Sequence, residues 1–136
     1  MNMKVAFNWS DAWLLLGILF ASDKGSATLE TIIAACDGID HAIIEADELE
    51  SGLIRLTDGG FITEKNGVFF STKRPKHYSS ALSERRAMQN RLKDIQEILG
   101  APSAGSEQPS LNNLKYPGFS AEGYDKAVEN YVGRAD

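Results

Sequence analysis

Cys36, His41 and His77 have the side chains best suited to nucleophilic, acid–base or metal chemistry in this chain. Cys36 and His41 would have to act as thiolate and base. His41 and His77, with nearby acids, would have to hold a metal. Neither arrangement has the spacing of a thiol or metal motif. Cys36 instead shares an apolar stripe with Leu29, Ile32 and Ile33 and reads as a small core residue. Asp40-His41 reads as a turn after a helix. The expectation is therefore a protein with no catalytic residue, no metal and no cofactor, and not an enzyme.

Charge offers a second kind of chemistry. Residues 1–60 hold ten acids and three bases, a balance of −7. Residues 61–99 hold eight bases and four acids, +4, and residues 100–136 hold five acids and three bases, −2, for a net −5. A mildly acidic chain thus carries a basic middle. Lys65, Lys73, Arg74 and Lys76, with His77 and Tyr78 alongside, are candidates to straddle a phosphate backbone. The competing reading is a solvated edge strand whose lysines discourage sheet pairing. The opposite pattern opens the stretch IEADELESGLIRLTDGGFI (44–62), where Glu45, Asp47, Glu48 and Glu50 crowd two helical turns. Carboxylates there complement the helix dipole and repel nucleic-acid phosphates.

These groups need elements to position them. At 136 residues and 43% hydrophobic, the chain can bury one core. Ser10 or Asp11 is expected to cap a first helix whose run Trp13–Ala21 is apolar on every side, as in a central helix. That run is too short to span a bilayer, and one lysine before it is a poor signal-peptide n-region. With a single cysteine, this gives the expectation of a cytoplasmic chain without membrane contact. Ser26 or Thr28 caps a second helix ending near Gly38. Leu49, Leu53 and Leu56 at i, i+4 and i+7 mark a third, closed by Gly59-Gly60. Asn66-Gly67 between β-rich runs supplies two positive φ angles for a type I′ hairpin, with strands expected over 61–64 and 68–71. A long helix is expected from Ser79 or Ser80 to Leu99. Residues 100–118 hold three of the four prolines and form a linker. Ser120 caps a last helix to about Val132, with Phe119 and Tyr124 as a hydrophobic staple.

Helix, helix, short connection, helix, Gly-Gly and hairpin is the order of a winged helix-turn-helix. The run Leu49, Leu53, Leu56, Gly60, Phe61, Ile62, followed by the Asn66-Gly67 hairpin ending in Ser71-Thr72, resembles the third helix and wing of bacterial MarR- and PadR-type regulators. The resemblance covers roughly residues 10–99. It implies a mainly α fold with a small β-hairpin wing, in a winged-helix domain over 1–78 and a long helix over 79–99; the linker over 100–118 and the helical tail over 119–136 lie beyond it. It further implies a transcription-regulator type of protein that is dimeric through its long helix, where Met88, Leu92, Ile95 and Leu99 share a face; the competing reading is that this stripe packs back on the chain's own first helix. In a winged helix that reads bases, the third helix enters the major groove, and Glu45, Asp47, Glu48, Ser51, Gly52 and Arg55 are the positions expected to face out. That surface is wrong for DNA, so any DNA contact is expected through the wing and its basic exit. The alternative is a protein-interaction winged helix that uses the acidic third helix as its partner surface. Tyr116, Phe119, Tyr124 and Tyr131 require the tail to bury aromatics, against a partner or against its own chain.

Overall fold

The computed structural model describes residues 6–101 and 119–134. Helix α1 (Trp9–Asp23) is the hub, with Ala12, Leu14, Leu15, Leu16 and Ile18 fully buried. Its cap is Asn8, two residues before the expected Ser10. Asp11 sits in the third position and accepts the Asn8 amide at 2.8 Å. Helix α2 (Leu29–Asp40) is capped by Thr28, whose amide donates to Thr31 Oγ1 while its hydroxyl accepts from the Thr31 amide. It runs past Gly38 and ends where His41 adopts a left-handed conformation (φ 56°). Trp13 Nε1 donates to the Cys36 carbonyl at 2.8 Å and ties α1 to α2.

Helix α3 (Ala46–Asp58) begins with Glu45 as its cap, and the Glu45 amide donates to Glu48 Oε1. Part of the acidic cluster is thus an N-terminal cap. The hairpin pairs β1 (Ile62–Lys65) with β2 (Val68–Ser71), in the register Ile62–Ser71 to Lys65–Val68, one residue later in β1 than expected. Asn66 (φ 54°) and Gly67 (φ 81°) form its turn. The sequence pattern holds no sign of one further bridge. The Phe69 amide donates to the Ala27 carbonyl at 2.8 Å, tying the segment before α2 to the outer edge of β2.

The long helix is shorter than expected. Pro75–Tyr78 forms a 3-10 turn, turns follow through residue 86, and α4 spans only Met88–Leu99. Tyr78 and Ala81 are buried, which holds this segment against the core. The Ala81 carbonyl, which a continuous helix would offer to residue 85, accepts instead from Arg91 Nε at 2.8 Å. Within α4, Leu92, Ile95 and Leu99 are buried and Met88 is half-buried, all within a single chain, and α4 packs on α1. The stripe expected to form a dimer seam is therefore spent on the chain's own core.

Helix α5 (Ala121–Arg134) returns to pack along α2. The Ser120 hydroxyl caps it through the Gly123 amide at 3.0 Å, and Phe119 meets Tyr124 with ring centroids 6.4 Å apart, as a staple requires. Most of the 100–118 linker, with Tyr116, lies outside the described residues. Among the described residues no helix is long and apolar enough to cross a membrane. The chain is mainly helical with one antiparallel hairpin.

Candidate nucleic-acid interface

The basic exit is built by a proline. Arg74 is extended (φ −70°, ψ 153°), as the residue before a proline must be, and Pro75 turns the chain into the 3-10 turn. Tyr78 is 1% exposed and anchors the far end, so the residues before it face solvent. The Ser71 hydroxyl donates to the Lys73 carbonyl at 2.9 Å and steadies the backbone between strand and proline. The Lys73 ammonium sits 5.9 Å from the centre of the Phe61 ring, and the His77 ring stands edge-on to Tyr78. Lys73, Arg74, Lys76 and His77 line one shallow depression. No carboxylate lines it among the described residues.

The structure thus brings together three of the four expected contacts. Lys65 is exposed at the turn end of the hairpin, about 13 Å away along a four-residue strand. It would reach a ligand only as a second, separate contact. Phe70, 46% exposed on β2, lies between the two.

Helix α3 corrects the sequence reading. Glu45 and Asp47 are exposed and Glu48 is half-buried, but Ser51, Gly52 and Arg55 are buried, and burial is continuous from Ser51 to Leu56. Gly52 abuts α1: a Cβ there would lie 2.6 Å from Leu14 Cδ2 and 3.1 Å from Asp11 Oδ1. Arg55 forks onto Asp11, with Nε 2.6 Å from Oδ2 and Nη2 2.9 Å from Oδ1. Burial pushes the Asp11 carboxyl up, while hydrogen bonds from Arg55 and the Asn8 amide pull it back down. Three of the six positions expected to face out, Ser51, Gly52 and Arg55, are therefore part of the core, while Glu45 and Asp47 stay in solvent. The sequence did carry a signal for this. Asp11 and Arg55 are isolated opposite charges, each set in an apolar helical run.

The other candidate groups lie apart. Cys36 is fully buried, its Sγ 3.9 Å from the Trp13 carbonyl, and desolvation pushes its thiol well above the usual range. His41 is exposed at the end of α2. No group of three or more His, Cys, Asp or Glu residues suited to a metal occurs among the described residues. In the tail, Tyr124 donates to the Ile44 carbonyl at 2.6 Å and Tyr131 to Asp37 Oδ2 at 2.5 Å. Phe119, Tyr124 and Tyr131 are half-buried against the chain itself. No protein-family model, curated protein or solved structure matches the chain.

Proposed function

We propose that this chain is a non-enzymatic winged-helix protein of the transcription-regulator type, which touches DNA through the exit of its hairpin and not through α3. Support for the winged-helix part comes from the order α1, α2, α3, hairpin and from the Ala27–Phe69 bridge, which fastens the hairpin to the three helices. The observation that carries the DNA part is the convergence of Lys73, Arg74, Lys76 and His77 on one depression without a carboxylate. A phosphate backbone is the polyanion such a surface suits, and contacts of this kind position a duplex without reading its bases. The burial of Ser51, Gly52 and Arg55 leaves α3 presenting chiefly carboxylates to solvent, which keeps a duplex off that helix.

The test is fluorescence anisotropy with a mixed-sequence duplex over a range of salt. Three phosphate contacts give a slope of about −3 in log K against log salt. Replacing Lys73, Arg74 and Lys76 with Gln together should lower affinity at least tenfold in low salt and flatten the slope. Asp47→Asn should leave binding equal or slightly tighter. Binding that is insensitive to salt, or unchanged in the triple variant, would end the proposal. Tight sequence-specific binding lost on Asp47→Asn would return α3 to the groove.

A second reading, a protein-interaction module, rests on a smaller observation. Ile43 is 36% exposed in the turn before α3, next to exposed Glu45 and Asp47, so a basic peptide with one apolar anchor fits there. Failure of the DNA experiment combined with peptide-induced changes at Ile43 would favour it.

A further inference from the structure

A cleft of about 730 Å3 opens on the side of the molecule where the end of α1, the outer face of α2, the turns before α4 and the last part of α5 meet. Its size lies within the usual range for small-ligand pockets, roughly 300–1,000 Å3. The floor on α2 is flat because it is made of Ala34, Ala35 and Gly38, and a Cβ built on Gly38 would meet nothing within 4 Å. Leu82 and Met88 form an apolar wall. Into this surface projects one fixed cation. Arg91 is half-buried, its guanidinium carbon lies 4.6 Å from the centre of the Phe20 ring, and its Nε is bonded to the Ala81 carbonyl. Among the described residues nothing accepts from its Nη groups, so a pre-organised pair of N–H donors is left for a ligand.

We propose that this cleft binds a small amphipathic monocarboxylate, with its apolar body on the Ala34–Ala35–Gly38 floor and its carboxylate on Arg91. A planar guanidinium held at both face and Nε matches a carboxylate and adds little ordering cost on binding. A phosphate dianion fits less well. Only one fixed cation faces it, and the rim carries exposed Asp23 and Glu84 against exposed Lys24. Glu30, also in the lining, is already engaged within the protein. The site stands whether or not the hairpin contacts nucleic acid, because it shares no residue with the basic exit.

The experiment titrates the 15N-labelled full chain with decanoate and 2-naphthoate, and with decanamide and 2-naphthamide as neutral counterparts. Expected are saturable shifts at Ala34, Ala35, Gly38 and the Arg91 Nε–H, with at least one acid bound tenfold or more tighter than its amide. Whichever acid binds reports whether the body is an acyl chain or a ring. Gly38→Leu fills the floor from an open position and replaces a helix-interior glycine with a better helix former. It should abolish the shifts while melting as high as wild type or higher. Arg91→Gln should cut acid affinity at least tenfold and leave amide affinity unchanged. Three results would each overturn the proposal: no saturable shift with either acid, equal binding of acid and amide, or undiminished binding by a folded Gly38→Leu chain.

Discussion

The α1–α3 seam and the α2–α5 seam are both helix contacts that bury polar groups, yet they are built in opposite ways. In the first, Gly52 brings the backbones together, and the Asp11–Arg55 pair sits among fully buried leucines with three of its hydrogen bonds at 2.6 to 2.9 Å. In the second, Ala127 is the buried apolar residue of α5, Tyr124, Val128 and Tyr131 are half-buried, and two phenol hydroxyls supply the polar contacts, Tyr131 to Asp37 of α2 and Tyr124 to Ile44 just beyond it. A charge sealed in the core must keep its partner. A hydroxyl at a half-open seam can exchange its partner for water. The first seam therefore belongs to the global fold. The second belongs to the low-stability end of the molecule, where local opening happens first.

The largest expected effect comes from breaking the first seam. Arg55→Met leaves Asp11 buried without a cation and should cost about 3–5 kcal/mol in urea unfolding. With Arg55 gone, only the Asn8 amide opposes the upward push of burial on Asp11. The neutral form is then easier to reach, so this destabilisation should shrink as pH falls. A loss below about 1 kcal/mol would mean that the pair is not sealed, and that the contrast with α5 is false.

A smaller effect should follow at the second seam. Tyr124→Phe with Tyr131→Phe removes two hydrogen bonds, about 0.5–1.5 kcal/mol each. That loss should fall on α5 alone, because a detached fourteen-residue helix is marginal in water. Hydrogen exchange of the α5 amides should speed up roughly 5- to 150-fold, with the α1 amides unchanged. Equal acceleration in α1 would show that α5 is part of the same cooperative unit.

The smallest effect sharpens the contrast with pH. Tyr124 is held above its usual value of 10 by burial, and then by the carboxylates of Glu45, Asp125 and Glu48. Tyr131 is held above it by its hydrogen bond to Asp37, and then by desolvation. A raised folded value means that the docked form keeps its proton more tightly. The contribution of these hydroxyls to docking is complete below pH 10 and is lost as pH rises through the raised values. Phenolate absorbance and helical circular dichroism should therefore change together above pH 10 in wild type. In the double Phe variant the helical change at that pH should be absent.

Several elements were legible because their signals are local. The Thr28 cap, the Asn66-Gly67 turn, the Ser120 cap and the Phe119–Tyr124 staple depend on residues within a few positions of one another, and all are present. The hairpin slipped by one residue in β1 because the pattern of 61–64 does not itself specify a partner. The long helix failed for a different reason. Residues 79–87 contain no helix breaker, but Tyr78 and Ala81 are buried in the core and the Ala81 carbonyl accepts from distant Arg91, contacts that no local pattern announces. The candidate interface was legible as charge, since Lys73, Arg74 and Lys76 lie within four positions; that they share one depression, and that Lys65 does not join them, required the structure.

By itself, the sequence determined the apolar centre of each helix, where the hairpin turns and where the positive charge lies, because caps, glycine conformations and apolar periods act over a few residues. Tertiary structure alone decided which helical faces remain open. Arg55 looked like a surface residue until Asp11, 44 positions away, closed on it, and Leu92, Ile95 and Leu99 looked like a seam for a second chain until α1 covered them. Arg91 became a fixed donor only when Phe20 and Ala81 reached it. Burial is a property of distant partners, and no local pattern names those partners.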